Sequence, residues 1–341
     1  DYETVLMAAA VPRVDSAQPP ANLEKAPYLY LDDTTWSTKD TEVEQLDLTP
    51  TAGSQTFACV LHHVLTEREC DALIARAEAR TGEAGYKTAL INAGGGEERQ
   101  MLNLRNNDRA LIDDAVLAEE MWQRVLEVMR YHCDTRGRAP EEEGEKTKQT
   151  NHPTSTTSRP RFSFAGIFGR STPAPAPAPV LDVPGLMADL LCNTAGAQPL
   201  YAVGLNERLR FLRYDPGNYF APHFDGTFTR GRDVGELRQF ERSYVTFQLY
   251  LNGGFEGGAT RFLNGYDRSV GIDVVPRTGS VLLFEHAVLH EGSLLVSGRK
   301  YTLRTDVMYN QVQGVEYSLK PFVMPRTSVG KDGGEEGEEG E

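Results

Sequence analysis

The chain is short of cysteine, of basic charge and of long apolar runs, and each shortage removes a class of protein. Its 341 residues include only four cysteines, widely spaced and without a C-x-x-C pair, which argues against a disulfide framework or a zinc knuckle. No apolar run approaches the roughly 20 residues that a transmembrane helix needs, so we expect no membrane span. The formal charge of −14 leaves no global basic surface, so we expect no nucleic-acid partner.

Composition divides the chain into five predicted segments. Residues 1–54 show little periodicity, which predicts an extended N-terminal arm, whereas 55–133 carry helical spacing and predict a helical support for a catalytic domain. Residues 134–180 are rich in charge, then in Pro-Ala repeats, and we expect a disordered insertion. Residues 181–325 are predicted to form the catalytic core, and 326–341 an acidic disordered tail.

The helical support has signals for two helices and a loop. Thr66-x-x-Glu69 has the spacing of a capping box, so a helix is expected to follow it. Apolar side chains recur at helical spacing over about 113–131, which predicts the second helix. Between them, 86–107 contains a Gly-rich run and is predicted to be a long mobile loop, a candidate lid.

Beyond a helix predicted at 184–193, the core is strand-like. Val245, Phe247, Leu249 and Leu251 alternate with more polar neighbours, the pattern of a half-buried strand. Further strands are predicted at 209–214, 269–275, 280–285 and 300–309. Many short strands preceded by helices predict an α+β protein with a β-sandwich or jelly-roll core.

One short motif could hold a metal ion. His223-Phe-Asp225 places an imidazole and a carboxylate on the same side of an extended chain, because side chains two apart share a face. A third ligand would complete the two-His-one-carboxylate set that leaves positions open on Fe(II), and His286 and His290 are both candidates. Alone, the triplet is a weak signal.

Five motifs follow one another in the core: Tyr214-Asp-Pro-Gly-Asn-Tyr-Phe-Ala-Pro-His223-Phe-Asp225, Tyr244-Val-Thr-Phe-Gln-Leu-Tyr-Leu-Asn252, Gly257-Gly-Ala-Thr-Arg-Phe262, Pro276-Arg-Thr-Gly-Ser-Val-Leu-Leu-Phe284, and His290-Glu-Gly292 with Gly298-Arg-Lys300. In this order they resemble the double-stranded β-helix (jelly-roll) core of 2-oxoglutarate/Fe(II)-dependent dioxygenases, and the prolyl 4-hydroxylase group in particular. The resemblance covers roughly 57–131 and 182–309.

This resemblance implies roles for individual residues. The iron ligands would be His223, Asp225 and His290, because Lys300 then falls ten residues later, where the family places the cation that binds the far carboxylate of 2-oxoglutarate. His286 would then be a structural neighbour. The hydroxyls that hydrogen-bond the co-substrate would belong to Tyr214, Tyr250 and Thr260.

Lys300 also has a rationale of its own, since a dianion in a closed barrel needs a fixed cation. Arg304 lies on the same face of its strand and could meet either the substrate or Asp306.

The implied activity is hydroxylation of a C–H bond, of peptidyl proline in particular, with Fe(II), 2-oxoglutarate and O2 as cofactors and co-substrates, release of succinate and CO2, and a need for ascorbate. The expected partner is a peptide or protein substrate. The alternatives are a hydroxylase of a free amino acid or other small molecule, and a non-catalytic binding protein with the same fold.

Two departures bear on substrate and location. Asp306 stands where collagen-type members commonly have an aromatic residue, which argues against collagen itself. We expect a soluble protein of the cytoplasm or nucleus, although the chain begins at Asp1 and a targeting segment could precede it.

Overall fold

Three helices of eight residues or more lie on the chain before and beside a large β-sheet. The structure is a computed structural model, which describes residues 31, 34–53, 56–81, 85–92, 98–136, 181–193, 200–231 and 241–310. Nearly all of the predicted insertion, the whole acidic tail and more than half of the predicted arm lie outside these residues. The described part of the arm is not simply extended, because it contains a 3-10 turn, a strand and a short helix. The helices are Thr49–Ala52, Glu67–Thr81, Ala115–Arg136 and Val183–Leu191, with a 3-10 turn at Thr38–Asp40.

The first long helix starts at the predicted capping box. The amide of Glu69 donates to Oγ1 of Thr66 at 3.2 Å, and the amide of Thr66 donates to Oε2 of Glu69 at 2.9 Å. The second long helix begins at Ala115 and runs to Arg136, three residues into the predicted insertion, because Met129 and Cys133 still pack in the core. The helix predicted at 184–193 ends at Leu191, since the next two residues pair with a strand.

Eighteen strands complete the described fold. They are β1 Glu42–Gln45, β2 Ala58–His62, β3 Lys87–Thr88, β4 Ile91–Asn92, β5 Glu98–Arg99, β6 Asp108–Asp113, β7 Cys192–Asn193, β8 Leu200–Leu205, β9 Arg208–Tyr214, β10 Phe220–His223, β11 Arg242–Tyr250, β12 Glu256–Gly257, β13 Thr260–Leu263, β14 Gly271–Val274, β15 Val281–Glu285, β16 His290–Gly292, β17 Leu295–Ser297 and β18 Lys300–Asn310.

Two antiparallel sheets carry the architecture. The larger has ten strands in the order β1-β2-β15-β11-β18-β9-β6-β3, with β8 also pairing β18 and β7 pairing β8. The smaller has four strands in the order β10-β16-β13-β14. Aromatic side chains join them, for example Phe262 of β13 and Phe284 of β15 with ring centroids 5.1 Å apart. The predicted α+β jelly-roll class is confirmed.

Apolar residues form separate cores on the two faces of the large sheet. Val245, Phe247 and Leu249 pack with Trp122 and other helical residues in the larger cluster. Tyr250, Leu282 and Phe284 pack instead with Phe262 of the small sheet. The small sheet therefore covers the face that the helices leave open.

The expectation of a half-buried β11 holds for part of the strand, since Tyr244 and Gln248 on its more polar face are partly exposed. Thr246 and Tyr250, which belong to its more polar face, are fully buried. The alternation separates an apolar face beneath the helices from a more polar face between the two sheets.

The predicted mobile loop over 86–107 is also ordered over much of its length. Its strand β3 pairs with β6, β4 pairs with β5, and the amide of Ala89 donates to the carbonyl of Asn107 at 2.9 Å. Arg105 and Asn107 are buried. The Gly-rich run at 93–97 lies outside the described residues.

No helix in the described part of the chain is long and apolar enough to cross a membrane.

Candidate metal centre and active site

Three side chains that could bind a metal ion meet where the small sheet faces the large one. His223 ends β10, Asp225 follows two residues later, and His290 begins β16 directly opposite His223 in the strand register. One ligand atom from each of the three lies within 4.8 Å of the others. Two nitrogens and one carboxylate oxygen, without a thiolate, form a donor set that suits Fe(II).

Main-chain carbonyls orient both imidazoles. Nδ1 of His223 lies 2.8 Å from the carbonyl oxygen of Ala221, and Nδ1 of His290 lies 2.9 Å from that of Val288. Because a carbonyl oxygen only accepts, each Nδ1 carries the proton and each Nε2 keeps its lone pair. Both Nε2 atoms lie 3.7 Å from an oxygen of Asp225. The rings are therefore prepared to bind a metal through Nε2.

Protonation states favour metal binding near neutral pH. Burial lowers the pKa of His290 to about 4, so its imidazole is neutral. Burial would raise the pKa of Asp225, but Arg304, His290 and His223 outweigh it and hold the pKa well below its usual range. Neutral imidazoles and an ionised carboxylate are the forms that bind a cation.

Both oxygens of Asp225 are held by hydrogen bonds. Oγ1 of Thr246 donates to Oδ2 at 2.5 Å, and Nη2 of Arg304 lies 2.9 Å from Oδ1. The same Nη2 lies 3.2 Å from Oδ1 of Asp306, whose Oδ2 is 3.1 Å from Nη1 of Arg210. Arg304 thus meets Asp306, one of the two partners expected from the sequence, and also Asp225.

Asp306 is the centre of this network of charges. Burial would raise its pKa, but Arg304, His286 and Arg210 reverse the effect and lower the pKa to about 2. Nε2 of His286 lies 3.6 Å from Oδ1 of Asp306. His286 therefore faces Asp306 and does not belong to the cluster of His223, Asp225 and His290.

A buried ammonium lies deeper in the same cavity. Lys300, the first residue of β18, is 3% exposed, and its Nζ donates to the carbonyl oxygen of Gly258 at 2.6 Å. It has no carboxylate partner among the residues that the structure describes. Burial lowers its pKa to about 7. An ammonium in this position suits one carboxylate of a dianion such as 2-oxoglutarate.

Hydroxyl groups lie beside this ammonium. The ring of Tyr214 is centred 5.1 Å from Nζ of Lys300, and the ring of Tyr250 is centred 5.7 Å from it. The hydroxyl of Tyr250 donates to Oγ1 of Thr260 at 2.9 Å, and Nε2 of Gln248 donates to the same oxygen at 2.9 Å. Tyr214 and Thr260 line the cavity, whereas Tyr250 lies behind Thr260.

The cavity has a volume of about 490 Å³, part of it open to solvent. Of the residues proposed from the sequence, the structure brings together His223, Asp225, His290, Lys300, Tyr214 and Thr260 along its wall. Sequence reasoning missed Arg105, Arg210, Thr246 and Gln248.

The sequence contains a pattern that could have identified three of those four residues. Thr246 and Gln248 alternate with the apolar residues of β11, and Arg210 lies on the same face of β9 as Tyr214, so period-two spacing could have identified them. Arg105 comes from a loop, and no local pattern identifies it.

Comparison with known proteins agrees with this geometry. Residues 209–305 match the model of the 2OG-Fe(II) oxygenase superfamily. This segment contains the three clustered side chains and Lys300, so the chain carries a 2-oxoglutarate-dependent dioxygenase domain, whose family uses Fe(II), 2-oxoglutarate and O2. No curated protein matches the chain.

Solved structures of prolyl hydroxylases are among those similar to the chain. The prolyl-4-hydroxylase of Pseudomonas putida is 19% identical, with 74% of this chain and 93% of that chain covered and a TM-score of 0.39. The viral collagen prolyl hydroxylase of Paramecium Bursaria Chlorella virus-1 is 14% identical, with 74% and 96% covered and a TM-score of 0.37. A Trichoplax adhaerens prolyl hydroxylase, solved with a hypoxia inducible factor peptide fragment, is 11% identical, with 74% and 84% covered and a TM-score of 0.40.

Proposed function

We propose that the protein hydroxylates a prolyl residue within an extended peptide, with His223, Asp225 and His290 holding Fe(II) and Lys300 holding the far carboxylate of 2-oxoglutarate. When bound, the iron and its co-substrates supply the oxidation of the C–H bond, and 2-oxoglutarate leaves as succinate and CO2. The chain itself contributes binding, orientation and charge.

The chain's first contribution is to hold Asp225 rigidly. Thr246 and Arg304 each bond one of its oxygens, so the carboxylate can present a fixed lone pair between the two Nε2 atoms. Such outer partners orient a ligand and limit the geometries that a metal can adopt. This arrangement supports a site with positions left for co-substrates.

The second contribution is a cradle for 2-oxoglutarate. Lys300 supplies the charge, while the hydroxyls of Tyr214 and Thr260 border the space above it. Tyr250 and Gln248 both donate to the Thr260 hydroxyl, which leaves that hydroxyl free to donate its own proton to a carboxylate.

The observation that supports a peptide substrate is exposed apolar side chains on two segments that adjoin the metal ligands. They are Met101, Leu102 and Leu104 on one segment and Phe224 and Phe228 on the other. Phe224 stands between two proposed iron ligands, and the carbonyl of Leu104 accepts from the amide of Ala221, two residues before His223. A peptide in the polyproline II conformation would lose little entropy on binding such a surface, which favours a proline-containing chain.

Mass spectrometry tests the proposal directly. The full chain is incubated with a library of proline-containing peptides, Fe(II), 2-oxoglutarate and ascorbate, which we include because we expect it to restore oxidised iron. We expect a gain of one oxygen on proline that is lost in Asp225→Ala. Robust oxidation of a free amino acid, with no peptide modified, would reject the peptide substrate.

A second candidate is hydroxylation of a free amino acid. The observation that favours it is the number of cations around the cavity, which is lined by Arg105, Arg210, Lys300 and Arg304. An α-carboxylate would be attracted to this wall. The same incubation with free amino acids in place of peptides distinguishes the two candidates.

A further inference from the structure

Four cationic side chains line the cavity, and three of them have an assigned anion. Arg304 pairs with Asp225 and Asp306, Arg210 pairs with Asp306, and Lys300 is left for the co-substrate. Arg105 pairs with no carboxylate among the residues that the structure describes. It is the cation whose counter-ion is unexplained.

Arg105 is held rigidly at the wall of the cavity. Its Nε donates to Oδ1 of Asn107 at 2.7 Å, and Asn107 is fully buried and donates in turn to the carbonyl of Asp108 at 2.8 Å. The guanidinium carbon lies 4.4 Å from the centroid of the Phe220 ring, and the main chains of the two residues form a β-bridge. The phenol of Tyr214 is its other side-chain partner.

Its surroundings place the guanidinium one aromatic ring away from the metal centre. The ring of Phe220 lies between Arg105 and His223, stacked on the imidazole with 3.6 Å between centroids. Arg105 is 7% exposed, and burial lowers its pKa to about 10, so the side chain is cationic at neutral pH. A buried charge is unfavourable unless an opposite charge or a dense hydrogen-bond network compensates it.

We infer that Arg105 forms a carboxylate-binding subsite beside the metal centre, so that the substrate presents a carboxylate close to the carbon that is hydroxylated. This inference rests on the proposed function and adds a charge requirement to it. The carboxylate has two possible sources: an acidic side chain next to proline in a peptide, or the α-carboxylate of a free or C-terminal residue.

Guanidinium geometry favours a carboxylate as the ligand. Asn107 accepts from Nε, the phenol of Tyr214 contacts the guanidinium, and the ring of Phe220 covers one face. The terminal N–H groups that Tyr214 does not use therefore remain for a ligand. A planar fork of N–H groups matches the two oxygens of a carboxylate. Arg105→Lys keeps the charge and loses the fork, and should therefore bind less well than the native protein.

Binding is measured on the full chain loaded with Mn(II) and 2-oxoglutarate without oxygen, by calorimetric titration. One pair of probes is acetyl-Glu-Pro-amide and acetyl-Gln-Pro-amide, and a second pair is proline and prolinamide. Acetyl-Glu-Ala-amide and acetyl-Gln-Ala-amide form a third pair that lacks proline. We expect the acidic member of at least one pair to bind about tenfold more tightly.

That preference should disappear in Arg105→Gln and persist in the matched control Arg277→Gln, which removes an exposed cation from a turn of the chain. Loss in the peptide pairs identifies an acidic side chain as the source, and loss in the proline pair identifies an α-carboxylate. Equal binding within all pairs, or a preference that survives Arg105→Gln, overturns the inference.

Two further results distinguish this inference from a role of Arg105 in 2-oxoglutarate binding and from the proposed prolyl substrate. If Arg105→Gln weakens 2-oxoglutarate binding as strongly as probe binding, Arg105 belongs to the co-substrate site and the inference is wrong. If the charge preference depends on Arg105 but no proline is ever oxidised, the prolyl substrate fails while the carboxylate subsite stands.

Discussion

The two faces of β11 differ in chemistry and in burial, since Val245, Phe247 and Leu249 are buried whereas Gln248 on the more polar face is partly exposed. Toward the helices, Val245, Phe247 and Leu249 pack into the apolar core. Toward the small sheet, Thr246 holds Asp225 and Gln248 holds Thr260. One strand thus contributes to stability with alternate residues and to the candidate site with the others, because successive side chains point to opposite faces.

Charge distinguishes the two faces more sharply than polarity. The cavity side of the large sheet buries Lys300 and Asp306 and partly buries Arg304, whose charges would destabilise the fold if left alone. Arg304 and Asp306 compensate each other, whereas Lys300 relies on a carbonyl oxygen until an anion arrives. The helix side stabilises the fold, and the cavity side gives up stability for binding.

The largest expected effect comes from removing a proposed iron ligand. This change should abolish activity at the cavity face and leave the packing of the helix face intact. His223→Ala, Asp225→Ala and His290→Ala should each abolish turnover, since each removes one of three protein ligands, while circular dichroism shows a retained fold. His286→Ala is the control and should keep much of the activity. Loss of iron in His286→Ala but not in His290→Ala would show that the ligand assignment is wrong.

A substitution on the helix face of β11 should instead reduce the stability of the fold. Phe247→Ala should lower the free energy of unfolding by about 3–5 kcal/mol, because it leaves a cavity in the apolar core. Gln248→Ala, one residue away on the other face, should lower it by about 1 kcal/mol. Urea denaturation measures both free energies of unfolding. A similar decrease for the two variants would contradict the claim that the helix face contributes more to stability than the cavity face.

Lys300→Ala tests whether the binding of 2-oxoglutarate can be separated from the binding of iron within the cavity. It should raise the dissociation constant of 2-oxoglutarate on the order of 100-fold, because a charge-assisted contact is lost, while iron affinity changes little. Separate titrations of metal and co-substrate measure the two effects. A matching loss of both would indicate that the whole site has collapsed.

The affinity for 2-oxoglutarate should also depend on pH. Since burial lowers the pKa of Lys300 to about 7, the ammonium that attracts the dianion is present below that pH and is lost above it. Affinity should fall by up to roughly tenfold per pH unit above pH 7. Arg does not titrate in this range, so a flat profile in Lys300→Arg would attribute the change to Lys300; the same slope in that variant would exclude it.

The smallest effect is expected from a deletion within the segment that the structure does not describe. Removing residues 137–178, beyond the end of the second long helix, should leave the melting temperature and uncoupled 2-oxoglutarate turnover nearly unchanged, since this Pro-Ala-rich composition predicts disorder. Differential scanning fluorimetry and succinate release measure the two. Loss of soluble protein would instead show that the segment supports the fold.

The sequence by itself determined the features that local pattern encodes. The capping box at Thr66 and Glu69, the long helix over about 113–131 and the alternation in β11 follow from spacing over a few residues. The five ordered motifs identified the dioxygenase class, because their joint occurrence is specific where His223-Phe-Asp225 alone is not.

Only the tertiary structure decided which distant groups meet. Spacing alone left both His286 and His290 open, and the family resemblance favoured His290. Strand pairing places His290 opposite His223, and His286 lies beside Asp306. The second buried face of β11 exists because the small sheet covers it, and Arg105 reaches the cavity because a loop pairs with Phe220. Local periodicity specifies which way a side chain points, and packing between segments remote in sequence determines what it meets there.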